Sequence, residues 1–194
     1  SFRKILMVCG LNRFAYGIGI MYLNVFLLRY LNIDYIYYSI LNILINFSEA
    51  LFSKFWATKS QDRKWNKVLA PMSIIYIFVF ILLFTLNNNI LILCLPIIYI
   101  LLGFANSAYE MFDHIAIYEH SKEDYKTSYV TFERFIEGIV TATLPIISYL
   151  VFPENSNSIK VTFLFAIIVY FVLFIYVKFR KQYLENNEFN KDNA

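Results

Sequence analysis

The chain has 194 residues, of which 59% are hydrophobic and 16% charged, and its mean hydropathy is +0.56. Soluble domains contain about 45–50% apolar residues, so this composition excludes an ordinary soluble domain and predicts an all-α membrane protein. The formal charge of +3 is distributed over basic loops beside apolar segments and not over one domain face, which argues against a nucleic-acid partner.

Six apolar segments are each long enough to cross the hydrocarbon core of a bilayer, which takes about 20 helical residues. We place them at residues 5–31, 35–57, 69–87, 90–115, 127–151 and 160–180. Short polar connections separate the segments. The sequence therefore predicts a six-helix transmembrane bundle over residues 1–184, followed by a polar tail over residues 185–194 that we expect to be disordered.

The orientation follows from the basic residues of the loops, which are enriched on the cytoplasmic side of membrane proteins. One side of the predicted bundle holds both termini and 13 lysine and arginine residues, whereas the opposite side holds only Arg29 and Lys160. We therefore expect an integral protein of the cell membrane with both termini in the cytoplasm.

The second segment carries a narrow polar stripe on an otherwise apolar helix. Its members are spaced by three or four residues and share one helix face: Ser39, Asn42, Asn46, Glu49 and Ser53. Two interpretations remain open for the serines and asparagines, namely hydrogen bonding to packed helices or contact with a water-filled cavity. Glu49 needs a partner, water or a proton, because an isolated carboxylate is costly in hydrocarbon.

Polar residues recur in the first, fourth and fifth segments but are almost missing from the third and sixth. The candidates outside the stripe are Asn12, Arg13 and Asn24, then Asn106 and Glu110, then Glu133, Arg134 and Glu137. The order polar, polar, apolar thus occurs twice. This order predicts two three-helix units, each with its third helix toward lipid, as in repeats of secondary transporters.

The charged residues of these segments lie at similar depths. At ~1.5 Å per residue, we expect all six to lie roughly 8–17 Å from the cytoplasmic loops: Arg13, Glu49, Glu110, Glu133, Arg134 and Glu137. Such a layer could be a static salt-bridge network or a gate or ion pathway. No arrangement of Ser, His or Cys predicts an enzyme, and we expect neither a metal nor another cofactor.

Two stretches resemble the C-terminal six-helix half of the major facilitator superfamily. The loop after the second segment, Thr58-Lys59-Ser60-Gln61-Asp62-Arg63-Lys64-Trp65-Asn66-Lys67, keeps Asp62, Arg63 and Lys67 of the family pattern Gly-x-x-x-Asp-basic-x-Gly-basic-basic. Both glycines of that pattern are replaced. The stretch Glu119-His120-Ser121-Lys122-Glu123-Asp124-Tyr125-Lys126 looks like the family's junction between its tenth and eleventh helices.

The resemblance implies that the six segments correspond to the family's seventh to twelfth helices. The first and fourth would line a central cavity, the second and fifth would face the N-terminal six-helix half, and the third and sixth would lie outside. It also implies a cytoplasmic gate network, in which Glu119 pairs with Arg63 and Lys126, joined by Asp62 and Lys67.

The leading hypothesis is therefore the C-terminal half of a secondary active transporter, a symporter or antiporter that moves a small solute by alternating access. Glu49 is the first candidate for an acid that binds a coupling proton, with Glu110 or Glu137 as second choice. Its partners would be the lipid bilayer, a small-molecule substrate and the N-terminal half of the same transporter. The alternative is a six-helix structural or accessory membrane protein without a substrate of its own.

Overall fold

The computed structural model describes residues 2–60, 66–120, 126–151 and 156–192, and all regular structure in these ranges is helical. The α-helices are α1 (Phe2–Val25), α2 (Tyr35–Lys59), α3 (Asn66–Thr85), α4 (Asn88–His120), α5 (Lys126–Val151) and α6 (Ser156–Asp192). Helix α6 includes residues 185–192, which belong to the stretch that the sequence predicts to be a frayed or disordered polar tail. A helix that has already formed extends by one backbone hydrogen bond per added residue, which favours continuation beyond the apolar segment.

Among the described residues, four helices are long and apolar enough to cross a membrane, as expected of a membrane-embedded protein. These stretches are Met7–Tyr30, Val68–Thr85, Asn88–Asp113 and Ile159–Phe179, in α1 with its terminal turn, α3, α4 and α6. Helices α2 and α5 are less apolar, because α2 carries the polar stripe and α5 carries Glu133, Arg134 and Glu137. That α2 and α5 also cross the membrane stays a prediction from the sequence.

Helix α1 ends in a wider, π-helical turn over Phe26–Tyr30, which leads into a short connection to α2. The backbone N–H of Leu31 donates to the carbonyl oxygen of Phe26 at 3.0 Å. Asn32 then adopts a left-handed conformation with φ of 48°, which asparagine tolerates better than most residues. Because only two residues follow Asn32 before α2 begins, α1 and α2 run in opposite directions.

The six helices pack in pairs. Helix α2 lies along α4, α5 lies along α1, and α3 and α6 pack against each other. Helix α3 also packs against α4, and α6 against α1, whereas α1 and α4 meet over a shorter length. Helices α2 and α5 therefore lie at the flanks of a core built mainly from the other four.

The contact between α2 and α4 is close because Gly103 has no side chain. A Cβ atom at this position would lie 2.3 Å from the carbonyl oxygen of Ile45. On the same side of α2, the Ser48 hydroxyl donates to the carbonyl oxygen of Ile100 at 2.7 Å, and the Trp56 indole donates to that of Phe104 at 2.9 Å. Small residues and interhelical hydrogen bonds are the usual means of helix association in membranes.

An aromatic seam joins α3 and α6 and consists of Tyr76, Phe80, Phe163 and Tyr170. The rings of Tyr76 and Tyr170 stack with centroids 4.6 Å apart, and Phe80 stacks on Tyr170 at 6.0 Å and on Phe163 at 6.1 Å. All four side chains are buried, and the outward surfaces of both helices are apolar, with Phe78 and Phe171 among the exposed residues. These surfaces suit contact with lipid.

Candidate functional site

A small polar cleft of about 40 Å³ opens between α1, α2, α3 and α4. It is lined by Asn12, Arg13, Tyr16, Glu49, Tyr76, Asn106, Tyr109 and Glu110. Small-molecule sites are concave and combine hydrophobic or aromatic walls with a few convergent polar groups. Five of the eight lining residues were candidates from the sequence, so the fold brings together side chains from three of the polar segments.

Asn106 organises one wall of the polar cleft. The Tyr76 hydroxyl donates to its Oδ1 at 2.7 Å, and its Nδ2 donates to the Tyr16 hydroxyl at 2.9 Å. The Tyr16 and Tyr76 rings also meet edge to face at 5.7 Å. This amide therefore links α1, α3 and α4. Tyr76 belongs both to the lining of the cleft and to the aromatic seam, so the two features adjoin at this residue.

Arg13 connects the polar cleft with α5. Its Nε donates to Glu137 Oε1, and one Nη lies 3.8 Å from Glu110 Oε1. The guanidinium group also lies 4.6 Å from the ring centroid of Tyr109. A single side chain of α1 thus contacts both α4 and α5, and it uses ion pairs and a cation–π contact.

Glu137 is the centre of a charged layer, which we define as Arg13, Glu110, Asp113, Glu133, Arg134 and Glu137. Besides Arg13, the Tyr109 hydroxyl donates to Glu137 Oε1 at 3.0 Å and Arg134 Nη1 donates to Oε2 at 2.9 Å. Arg134 also lies 3.6 Å from carboxylate oxygens of Asp113 and Glu133. Glu137 is thus well solvated by protein donors, although its side chain is only 11% exposed.

Within the described part of the chain, the carboxylates of Asp113 and Glu133 accept fewer hydrogen bonds than that of Glu137. Both side chains are 1% exposed, and neither oxygen of Glu133 accepts a hydrogen bond from the described residues. Asp113 accepts one only from the Cys9 thiol, at 3.6 Å to Oδ1. Buried charges without partners are costly, so this part of the charged layer requires a proton, a cation or a rearrangement for neutrality.

Asp113, Glu133 and Glu137 each offer a carboxylate oxygen within 4.8 Å of the others, which is a spacing that a metal ion could use. Arg134 contacts all three of these carboxylates and already supplies positive charge there. We therefore assign no metal to this group.

The polar stripe of α2 does not connect helices through its serines and asparagines. Each donates to a carbonyl oxygen of its own helix: Ser39 to Tyr35, Asn42 to Tyr38, Asn46 to Asn42, and Ser53 to Ala50. Among the described residues, these side chains therefore make no hydrogen bond to another helix, and both interpretations of the stripe stay open. Short polar side chains commonly bond back to a carbonyl group three or four residues earlier, and the side-chain bonds from α2 to α4 come from Tyr37, Ser48 and Trp56.

The stripe nevertheless faces open space beside the polar cleft. Asn46, Glu49 and Ser53 border a groove that is closed on the other side by Ser107, Glu110 and Met111 of α4. Glu49 forms no ion pair with the described residues, although Asn106 lies within hydrogen-bonding reach. Asn24 lies near the C-terminal end of α1, and it neither lines the cleft nor belongs to the charged layer.

The predicted cytoplasmic gate network falls largely outside the part of the chain that can be described. Asp62 and Arg63 are outside the described residues. Lys67, Glu119 and Lys126 belong to helices α3, α4 and α5, but only their backbone is described. The pairing of Glu119 with Arg63 and Lys126 stays a prediction.

Four members of the site were not among the candidates from the sequence, namely Asp113 of the charged layer and Tyr16, Tyr76 and Tyr109 of the polar cleft. Asp113 follows Glu110 by three residues, so both lie on one face of α4, and this spacing could have placed Asp113 in the charged layer. Tyr109 precedes Glu110 directly. The chain has many tyrosines, and the position of Tyr109 in the sequence does not distinguish it from those that make no hydrogen bond to a buried carboxylate.

Comparison with known proteins adds no relative to this picture. No protein-family model matches the chain, and neither a curated protein nor a solved structure is significantly similar to it. The function must therefore be argued from the geometry of the helices and of the polar cleft.

Proposed function

We propose that this chain is the C-terminal half of a secondary active transporter of the major facilitator type, which moves a small solute by alternating access. The observation that carries the proposal is the pairing of the helices, which keeps its pattern when α1, α2 and α3 are exchanged with α4, α5 and α6. Under this exchange, the observed pair of α2 and α4 corresponds to the observed pair of α5 and α1. In the same way, the pair of α3 and α4 corresponds to the pair of α6 and α1. The pairing of α3 with α6 is unchanged.

Such an exchange is what two structurally repeated three-helix units produce. Many transporters consist of repeats of this kind, with the substrate site near the middle of the membrane between them. The polar cleft lies in the corresponding place, where α1 approaches α4. The cleft therefore has the position, as well as the polar lining, that a substrate site requires.

The distribution of exposed charge supports a second bundle on the side of α2 and α5. Arg134 and Glu110 have side-chain exposures of 45% and 41%, and Glu49 is also partly exposed. Charged groups at membrane depth face protein or a hydrated cavity and not lipid. We therefore place the N-terminal six-helix half against this side, with the lipid bilayer against the outer surfaces of α3 and α6.

The charged layer offers a means of switching between states. Three acidic side chains compete for Arg134, and Arg13 is shared by Glu110 and Glu137. A rocking motion that changes these partners would leave a different carboxylate without compensation in each state, and that carboxylate would take up a proton. Glu49 is our first candidate for this proton because it lines the cleft and forms no ion pair with the described residues.

A second candidate function is that of a structural or accessory membrane protein. The observation in its favour is the chain of ion pairs from Arg13 through Glu137 to Arg134, which ties α1 to α5 and could serve only to hold the bundle together. In that case Glu49 would have no role in moving a solute.

The two functions separate in proteoliposomes that contain the intact protein and a pH gradient. A panel of sugars, amino acids, amines and carboxylates is tested for accumulation and for exchange, first with the unchanged protein. We expect at least one solute to accumulate, and we expect Glu49→Gln to abolish gradient-driven accumulation but to retain exchange. Asp34→Asn is the matched control, because Asp34 is an exposed acid whose side chain makes no capping hydrogen bond. If the unchanged protein transports none of these solutes, the result favours the structural or accessory function over the transporter.

A further inference from the structure

The acceptors and donors that line the polar cleft are out of balance. Three of its donor groups already have partners within the protein: the Tyr76 hydroxyl donates to Asn106, the Tyr109 hydroxyl donates to Glu137, and the Arg13 guanidinium pairs with Glu137 and Glu110. On the acceptor side, Glu49 and Glu110 present two carboxylates to the cleft. Each carboxylate can accept several hydrogen bonds, so the lining offers more acceptor positions than these donors fill.

Asn12 provides an independent sign of a missing donor. Its side chain is 1% exposed and lines the cleft, yet its Oδ1 accepts no hydrogen bond from the described residues. A buried amide oxygen without a donor costs free energy, and this cost is removed when a ligand supplies an N–H or O–H group. The unused acceptor belongs to α1, whereas the two carboxylates belong to α2 and α4.

The balance of charged side chains around the cleft indicates which charge a ligand would carry. Five acidic side chains (Glu49, Glu110, Asp113, Glu133 and Glu137) face two guanidinium groups, those of Arg13 and Arg134. Both guanidinium groups contact Glu137, and neither forms an ion pair with Glu49 among the described residues. A solute with positive charge would compensate this wall, whereas an anion would increase the repulsion.

We infer that the polar cleft binds a solute carrying a primary ammonium group, an inference that rests on the transporter proposed above and names its substrate class. A primary ammonium group has three N–H donors and no acceptor. Asn12, Glu49 and Glu110 offer it one neutral and two charged acceptors from three helices. The rings of Tyr16, Tyr76 and Tyr109 complete the lining and suit a cation by cation–π attraction.

The test is a binding measurement by isothermal titration calorimetry on the intact protein in detergent, without a gradient. Three primary amines are compared with the alcohols of the same shape: methylamine with methanol, 1,4-diaminobutane with 1,4-butanediol, and 2-phenylethylamine with 2-phenylethanol. We expect at least one amine to bind about tenfold or more tightly than its alcohol, because charge-assisted hydrogen bonds are the stronger kind. If no amine binds more tightly than its alcohol, the inference is wrong.

Variants assign the binding to the cleft. Glu49→Gln should reduce the affinity for the best amine about tenfold and leave the affinity for its alcohol unchanged, since the amide keeps the shape and loses the charge. Glu110→Gln serves as a second variant, and Asp34→Asn should bind the amine as the unchanged protein does. Amine binding that survives both cleft variants would contradict the assignment.

These outcomes separate the inference from the proposed function. A protein that binds amines in the cleft but moves no solute in proteoliposomes fails as a transporter only. A protein that accumulates solutes but shows no preference for amines over alcohols fails the present inference only.

Discussion

The aromatic seam between α3 and α6 and the charged layer between α1, α4 and α5 occupy the same bundle but are built on opposite principles. The seam consists of four stacked rings, and each ring fits one arrangement of its neighbours. In the charged layer, four acids share two arginines, so that more than one pairing is within reach. The comparison shows one part that specifies a single packing and one that permits several, which is the combination that a moving bundle requires.

The largest effect should come from breaking the charged layer at Arg13. Arg13→Met leaves Glu137 and Glu110 without their partner on α1, and loss of one member of a buried pair costs about 3–5 kcal/mol. We expect this loss in the free energy of unfolding in detergent. Lys54→Met, a change at an exposed lysine of α2, should alter it by less than about 0.5 kcal/mol.

A double variant distinguishes an unpaired charge from lost packing. Arg13→Met combined with Glu137→Met removes both charges, so it should recover part of the stability lost in Arg13→Met. A double variant no more stable than Arg13→Met would mean that Arg13 acts mainly through contacts such as the Tyr109 ring.

The second effect concerns the seam. A Cβ atom at Gly19 would lie 2.3 Å from Phe80 Cζ, and the Phe80 ring cannot withdraw because Phe163 and Tyr170 stack against it. Gly19→Ala should therefore destabilise the protein by about 1–3 kcal/mol. The matched control is Gly138→Ala in α5, where nothing lies within 4 Å of the added Cβ and alanine should stabilise the helix by about 0.5–1 kcal/mol. Equal effects in thermal unfolding would show that the seam is more adaptable than its stacking suggests.

The smallest effect comes from two tyrosines of the same stack. Tyr76→Phe removes the donor to Asn106 Oδ1 and should cost about 1 kcal/mol. The buried Tyr170 hydroxyl has no hydrogen-bond partner among the described residues, so Tyr170→Phe should leave stability unchanged or raise it by up to about 1 kcal/mol. A larger loss in Tyr170→Phe than in Tyr76→Phe, in the same unfolding assay, would contradict this assignment.

The helices followed from the sequence because long apolar runs with few charges have few alternatives in a membrane. That charged residues of α1, α4 and α5 meet at one level also followed, since the position of a residue along a helix depends only on the rise per residue. The rotation of each helix about its axis did not follow. The stripe of α2 was recognised, but Tyr37, Ser48 and Trp56, which are not among its members, make the side-chain bonds to α4. Asp113 was missed for the same reason, because its proximity to Arg134 depends on how α4 and α5 pack.

The ion pair between Arg13 and Glu137 also constrains how the protein is made. The two residues are 124 positions apart, so at about 5–20 residues per second α5 leaves the ribosome roughly 6–25 s after α1. Each charged residue near a helix centre disfavours membrane insertion by about 2.5–3.5 kcal/mol, and α5 has three charged residues close together. For an α5 that crosses the membrane, as the sequence predicts, the guanidinium group of Arg13 would reduce this cost if α1 stayed nearby for that time and received the carboxylate of Glu137.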